Sequence, residues 1–163
     1  MIKLIVTGGT FDKTYDHING KLFFEHTHIP KMLERSRCKL AVDVVPLMLK
    51  DSLEFDESDL KSIENACQNT SLRSIVITHG TDTMVETARR LAQLNLDKTI
   101  LLTGAMIPYA FGSSSDGFFN LGCALAFSQT LRPNVYITMQ GQCFLWDEVK
   151  KNKALGWFEQ IKK

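Results

Sequence analysis

Apolar runs of a few residues recur along the chain, and polar or amphipathic segments separate them. Each run is continuous and rich in Val, Ile and Leu, which is typical of strands that are buried on both faces of a sheet. The runs predict five strands, at residues 4–6, 40–47, 74–78, 99–103 and 134–139.

The segments between these runs carry apolar residues at helical spacing. One helix is predicted to start in the acidic stretch DESD at residues 56–59, because carboxylates favour a helix N-terminus. A second is predicted after Thr83, which forms a capping-box signature with Glu86. Residues 30–37 and 115–127 predict two more helices, and residues 144–163 fit either a hairpin or a short helix.

Alternating buried strands and helices predict a three-layer α/β sandwich with a mainly parallel sheet. The length of the chain fits a single domain over residues 1–163. In such sheets ligands bind outside the carboxyl ends of the strands. This rule selects four loops as candidate sites, at residues 7–30, 48–55, 78–83 and 103–115.

The first of these loops begins with Thr7-Gly8-Gly9-Thr10. It contains neither G-x-G-x-x-G nor G-x-x-x-x-G-K-[ST], which argues against a phosphate cradle. The polar and aromatic stretch that follows, with an Asn19-Gly20 turn signal, is a loop of roughly 18 residues, a length typical of functional segments. We therefore predict a mobile lid, with glycines that let the backbone pass close to a ligand and present Thr10.

The loop at residues 78–83 places Thr81 and Asp82 between a strand and a helix, where free backbone N–H groups can stabilise an anion. A threonine here can act as a nucleophile, or orient one, if a base lies within hydrogen-bond reach. The same two residues are also well placed to cap the helix. The spacing alone leaves both interpretations open.

Composition and charge restrict the classes of function. The formal net charge is +1, and Lys and Arg are scattered, so we expect neither a nucleic-acid partner nor a membrane surface. The four cysteines lie far apart, and His26 and His28 have no accompanying carboxylate pattern, so we expect no metal and no cofactor. With no leader-like start and no long apolar run, we expect a cytoplasmic protein.

Four blocks together resemble the bacterial L-asparaginase family: TGGTF at residues 7–11, DSLEFD at 51–56, THGTDTMVETA at 78–88 and LTGAMIPYAFGSSSDGFFNL at 102–121. The chain resembles a short member that matches the amino-terminal catalytic domain and has no carboxyl-terminal domain. The resemblance implies a flavodoxin-like fold and hydrolysis of L-asparagine to L-aspartate and ammonia through a threonine acyl-enzyme, with glutamine as a further candidate substrate. It also implies a homodimer or a higher homo-oligomer.

The resemblance also implies roles for particular residues. Thr10 matches the nucleophile, Tyr15 the tyrosine that activates it, and Thr81 with Asp82 a pair that works with a lysine. Lys151 aligns with that lysine, and Lys150 is one position away. The implied substrate-binding positions are Gly9, Asp51, Ser52, Gly80 and Ala105.

Some of these positions carry a further expectation. Ser52 matches a serine that binds the substrate carboxylate, and Ala105 matches a backbone contact to the amide. Backbone N–H groups around Gly9, Gly80 and Thr81 are candidates for an oxyanion site.

The chain departs from the family pattern at the rim of the site. Ile107 replaces a basic residue and Leu53 a polar one, which makes the rim less polar. Without a second domain we expect weak affinity for asparagine, or a site completed by another protomer. Two alternatives therefore stand beside the hydrolase: a non-catalytic sensor of aspartate or asparagine, and an ammonia-generating subunit of an amidotransferase. The hydrolase is favoured because every implied catalytic position is filled.

Overall fold

The computed structural model describes residues 1–161 of the chain. In chain order its strands are β1 (Ile2–Gly8), β2 (Lys13–Asp16), β3 (Lys21–Phe24), β4 (Val42–Lys50), β5 (Ser74–Thr78), β6 (Thr99–Thr103), β7 (Asn134–Met139), β8 (Gln142–Leu145), β9 (Val149–Asn152) and β10 (Trp157–Gln160). The α-helices are α1 (Ile29–Arg35), α2 (Glu57–Gln68), α3 (Met84–Ala92) and α4 (Gly117–Phe127).

A six-stranded sheet with the order β4-β1-β5-β6-β7-β8 forms the centre of the fold. The five strands that the apolar runs predict are neighbours in this sheet and pair in parallel, and β8 adds an antiparallel edge. Numbered by themselves, the five parallel strands have the order 2-1-3-4-5, which is that of flavodoxin-like sheets. The predicted α/β class with a mainly parallel sheet is confirmed.

Alternate residues of β1 show why its apolar run is continuous. Leu4 and Val6 are fully buried in a core cluster that includes residues of α1 and α4, and Ile5 is fully buried in a second cluster with residues of α2 and α3. Successive side chains of a strand point to opposite faces, so helices cover the sheet on both sides. These two clusters produce the three layers, and they leave the loops at the carboxyl ends of the strands as the place for a site.

Several boundaries differ from those predicted. Helix α1 covers Ile29–Arg35 rather than residues 30–37, and β4 covers Val42–Lys50 rather than residues 40–47. Helix α4 starts at Gly117, two residues later than predicted, because the carboxylate of Asp116 is bonded to the backbone of the loop at residues 106–107.

The predicted capping box at α3 is wrong. Thr83 makes no side-chain cap bond, because its hydroxyl donates to the carbonyl of Ser52 at 3.2 Å. A capping box does form at α2, where Asp56 and Asp59 each bond the other's backbone N–H. The acidic stretch therefore starts a helix as predicted, whereas Thr83 is used to connect two loops.

Two hairpins complete the fold outside the central sheet. The loop predicted to be a mobile lid contains the antiparallel pair β2 and β3, with the predicted turn at Asn19-Gly20. Strands β9 and β10 form the second hairpin, which decides the carboxyl-terminal alternative in favour of strands. None of the helices in residues 1–161 has the length and hydropathy of a membrane span.

Candidate active site

Three loops meet at the carboxyl ends of β1, β4 and β5. Gly9 has a positive φ of 70°, and a Cβ added there would lie 2.5 Å from the nitrogen of Gly80. A Cβ added at Gly80 would lie 2.3 Å from the hydroxyl oxygen of Ser52. Only glycine permits such close approach of the backbones, so Gly9 and Gly80 hold the loops together.

This contact joins the loops that carry the two candidate threonines. Thr10 directly follows Gly9 and opens a short 3₁₀ turn, Thr10–Asp12, in which it is half-buried. Thr81 directly follows Gly80 and is 5% exposed. The backbone N–H of Gly9 donates to the carbonyl of Lys50 at 2.9 Å. This N–H is already bonded within the backbone, so the predicted oxyanion site would use the other N–H groups around Gly9, Gly80 and Thr81.

Lys151 on β9 reaches across to the loop after β5. Its Nζ donates to Oγ1 of Thr81 at 2.8 Å and to Oδ1 of Asp82 at 2.7 Å, and its side chain is only 11% exposed. Lys150 has the opposite orientation, as alternate residues of a strand do, and pairs with Glu159 at 3.2 Å. The structure therefore brings Lys151, and not Lys150, to Thr81 and Asp82.

The helix-capping interpretation of Asp82 does not fit these contacts. Its carboxylate is bonded to Lys151, and α3 begins two residues further on. The three polar groups of Thr81, Asp82 and Lys151 form one connected cluster at the carboxyl end of β5. We call it the lysine cluster.

The turn that contains Ser52 lies against this region. Asp51 accepts a hydrogen bond from the backbone N–H of Leu53 at 3.1 Å and forms an ion pair with Nζ of Lys13 at 2.6 Å. The hydrogen bond from Lys13 lowers the pKa of Asp51 below its usual value. Ser52 is 3% exposed, and its buried hydroxyl has no hydrogen-bond partner within residues 1–161. A substrate carboxylate would therefore need a local opening to reach it.

The loop that contains Ala105 is held by the start of α4. The carboxylate of Asp116 accepts from the backbone N–H groups of Met106 and Ile107 at 3.0 Å each. Asn120 donates to the carbonyl of Gly104 at 2.9 Å. Ala105 is fully enclosed as a result, and Ile107 remains exposed at the rim.

Asp116 and Asn120 were not among the residues predicted for the site. Their signal is the Asp-x-x-x-Asn spacing at the start of α4, which places both side chains on one face of a helix.

Tyr15 lies on β2 and is half exposed. Its ring meets Phe111 edge to face, with 6.3 Å between the ring centres. Among the described residues its hydroxyl makes no hydrogen bond, so the structure leaves the predicted pairing of Tyr15 with Thr10 unformed.

Two buried titratable residues lie beside the candidate site. His79 is enclosed, and because a carbonyl only accepts, its Nδ1 donates to the carbonyl of Gly80 at 2.7 Å. Burial lowers the pKa of His79 to about 4, so it is a neutral structural residue near pH 7. Asp12 is also enclosed, and burial raises its pKa to about 6. Sequence reasoning gave no role to Asp12.

The described residues contain no group of three or more His, Cys, Asp or Glu side chains placed to hold a metal ion. His26 and His28 lie with 5.5 Å between their ring centres, edge to face.

The parallel sheet, its 2-1-3-4-5 order and the polar residues at its carboxyl edge define an α/β protein with a flavodoxin-like arrangement. Within that class the chain belongs to the asparaginase family, because residues 1–159 match the family described as asparaginase, N-terminal.

Three known proteins illustrate the similarity. The fold matches the thermostable L-asparaginase from Thermococcus kodakarensis with a TM-score of 0.85 and 26% identity, covering 100% of this chain and 52% of that one. The 60 kDa lysophospholipase of Homo sapiens is 36% identical over 110 residues, which are 61% of this chain and 19% of that protein. A component of the glutamyl-tRNA(Gln) amidotransferase of Pyrococcus furiosus is 29% identical over 154 residues, covering 86% of this chain and 34% of that component. The chain thus spans about half the length of the asparaginase structure and less of the other two proteins.

Proposed function

We propose that this protein is an amidohydrolase that converts L-asparagine to L-aspartate and ammonia through a threonine acyl-enzyme. The observation that carries the proposal is the lysine cluster, in which Nζ of Lys151 lies 2.8 Å from the hydroxyl of Thr81. The contact between Gly9 and Gly80, which joins the loop of Thr10 to that of Thr81, supports a role for Thr10 at the same site. Family membership supplies the reaction class.

In the proposed reaction, Oγ1 of Thr10 attacks the side-chain amide carbon of asparagine. The proton of the Thr10 hydroxyl is transferred to the amide nitrogen, the C–N bond breaks, and the nitrogen leaves as ammonia. Water then attacks the resulting ester, which restores the Thr10 hydroxyl and releases aspartate. An alcohol is a poor nucleophile at neutral pH, so both steps need a neighbour that moves protons.

The lysine cluster is the proposed proton-moving unit. Lys151 donates to Thr81, so an ammonium hydrogen meets one lone pair of Oγ1 and leaves the hydroxyl hydrogen of Thr81 free to point to a bound amide or water. Asp82 uses one carboxylate oxygen for Lys151, and its side chain is 39% exposed. The other oxygen is therefore available to the ammonium group of an amino-acid substrate.

A second candidate function is ammonia production for a partner enzyme. The similarity to the amidotransferase component supports it, because that match covers 86% of this chain. The two functions share the chemistry at Thr10 and differ in where the ammonia goes. Ammonia released into solution without a partner favours the independent hydrolase, whereas release that requires a partner protein favours the amidotransferase role.

The test is a steady-state ammonia-release assay on asparagine and glutamine, combined with rapid-quench mass spectrometry. Wild-type protein is expected to release ammonia from asparagine and to form an adduct that maps to Thr10. Thr10→Ala is expected to abolish both and still bind aspartate. Thr130→Ala is the matched control, because that hydroxyl bonds only a nearby carbonyl at an exposed helix end.

Two other outcomes would change the proposal. An adduct that maps to Thr81, or that persists in Thr10→Ala, would exchange the roles of the two threonines. Binding of aspartate without ammonia release from either amide would instead support a non-catalytic sensor.

A further inference from the structure

Asp12 is a buried carboxylate that the proposed chemistry does not use. Its side chain is fully enclosed at the end of the turn that Thr10 opens. One oxygen, Oδ1, accepts from the hydroxyl of Thr27 and from the backbone N–H of His28, each at 2.9 Å. The other oxygen, Oδ2, has no partner among residues 1–161.

The two donors lie on the far side of a hairpin. The chain leaves the turn at Asp12, runs out along β2, returns along β3 and enters α1 just after Thr27 and His28. A single carboxylate oxygen therefore joins the point where the hairpin begins to the point where it ends. Thr14 and His28, whose Oγ1 and Nε2 lie 3.3 Å apart, add a second link across the same base.

Packing alone does not account for an acid at this position. The neighbouring Phe11 and Ile29 are completely buried, so an apolar residue would suit the surroundings. A buried polar group lowers stability unless its hydrogen bonds compensate, and here one oxygen stays uncompensated. Buried hydrogen-bond networks hold segments of a chain in a defined geometry. Here the carboxylate holds the turn that ends at Asp12 against the residues that precede α1.

We propose that Asp12 is a positioning residue that fixes the turn of Thr10 to the base of the hairpin that carries Tyr15. The inference deepens the proposed function and rests on it, since Thr10 is the nucleophile there. Lys13, the next residue, anchors the same strand to Asp51 beside Ser52. The hairpin is thus held at its base, and motion is confined to its outer part.

The first test measures hydrogen exchange and does not depend on activity. In Asp12→Ala, amides of β2 and β3 are expected to exchange about 10-fold faster, while those of β5 and β6 stay unchanged. Asp12→Asn keeps an oxygen acceptor and is expected to restore most of the protection. Thr27→Val keeps the volume and removes one donor, so an intermediate increase is expected.

Asp16→Ala is the matched control on the same hairpin. Asp16 bonds the backbone of Ile18 and Asn19 at the far turn, so its loss loosens the tip and leaves the base intact. Faster exchange of the residues next to the turn, without change next to Asp12, is the expected pattern.

The second test is kinetic. If Asp12 positions the nucleophile, Asp12→Ala lowers kcat for asparagine about 10- to 100-fold with little change in KM, because small displacements of reacting groups are that costly. Asp12→Asn and Asp16→Ala are expected to stay within about threefold of wild type. Equal loss in Asp12→Asn and Asp12→Ala would mean that the carboxylate acts other than as an acceptor, and would overturn the assignment.

The remaining outcomes separate the two proposals. Wild-type protein without ammonia release refutes the proposed function, and the exchange of β2 and β3 still decides whether Asp12 holds the hairpin. Unchanged exchange in Asp12→Ala overturns the inference, and so does an equal rise at all amides. If Asp12→Ala does not fold, Thr27→Val decides, since unaltered hairpin exchange in that variant contradicts the proposal.

Discussion

The lysine cluster and the Tyr15 hairpin are the two halves of the candidate site, and they are constructed differently. In the lysine cluster, Nζ of Lys151 contacts the side chains of both Thr81 and Asp82 within 2.8 Å. In the hairpin, Tyr15 is half exposed, and its hydroxyl reaches no other described polar group. One half is assembled in this structure, and the other is only held at its base.

The difference follows from the support that each half receives. Thr81 comes three residues after β5, which is paired on both sides in the central sheet, so its position is fixed by many backbone hydrogen bonds. Tyr15 lies in a two-stranded hairpin, which is marginal by itself and depends on side-chain bonds from Asp12 and Lys13. Substitutions in the first half are therefore expected to affect chemistry, and those in the second half to affect geometry.

The largest effect is expected from Lys151→Met. The variant removes the ammonium from Thr81 and Asp82 and keeps the length of the side chain, so kcat for asparagine is expected to fall about 1,000-fold, or roughly 4 kcal/mol. Ammonia release under saturating asparagine measures it. Lys150→Met is the control, because Lys150 pairs with Glu159 outside the site. Its kcat for asparagine is expected to stay within about twofold of the wild-type value.

The same comparison can be made sharper with a double variant. Residues that act as one unit lose activity non-additively, so Thr81→Ala with Lys151→Met is expected to be little slower than either single variant. If the activity loss of the double variant equals the product of the two single losses, Thr81 and Lys151 act independently, despite their contact.

A smaller effect, on stability, is expected from Gly9→Ala. The backbone angles of 70° and −171° belong to a region that is essentially restricted to glycine, and the new Cβ would meet the backbone of Gly80 at 2.5 Å. We expect a loss of about 3 kcal/mol in the free energy of unfolding, measured by urea denaturation. Gly20→Ala has a similar φ of 65° but open space around it, so only about 1 kcal/mol is expected. Equal losses would show that the contact between loops contributes nothing.

A further effect on stability, no larger than that of Gly9→Ala, concerns pH and Asp12. Burial raises its pKa from 3.8 to about 6, so the folded state holds a proton that the unfolded state has released. The stability that this proton contributes is complete below pH 3.8 and is lost as the pH rises to about 6. Relative to Asp12→Asn, the free energy of unfolding of the wild-type protein is thus expected to fall by at most about 3 kcal/mol between about pH 4 and about pH 6.5. Urea titrations of both proteins across that range measure it, and a constant difference would contradict the raised pKa.

Much of the fold could be predicted because a strand that is buried on both faces of a sheet has a continuous apolar run in the sequence. The runs at residues 74–78, 99–103 and 134–139 match β5, β6 and β7 to the residue. The short strands β2 and β3 were missed because segments of four residues without a buried position give no such signal, and only their pairing defines them.

The candidate site could be predicted where it follows the ends of strands. Thr81 and Asp82 were selected by that rule, and the structure brings Lys151 to them. The choice between Lys150 and Lys151 depended on register: Lys151 pairs with Phe158, which is buried, and Lys150 pairs with Glu159. Roles within the reaction remain predictions.

The role of Asp12 could not be predicted from local sequence. Its acceptor oxygen meets a donor 15 residues away, across a hairpin that the sequence did not reveal. A lone acid after TGGTF looks like any surface residue until the returning strand is in place.

The hydrogen bond between Lys151 and Thr81 joins residues 70 positions apart, and this separation sets when the site can form during synthesis. At about 5–20 residues per second, roughly 4 to 14 s pass between the addition of the two residues. Once Met139 has been added, the nascent chain contains the segments of all five parallel strands, yet it has no ammonium beside Thr81 until Lys151 follows. Under the proposed function, a chain that stalls on the ribosome before residue 151 would stay inert, and amide cleavage would begin only when the β9 hairpin has docked.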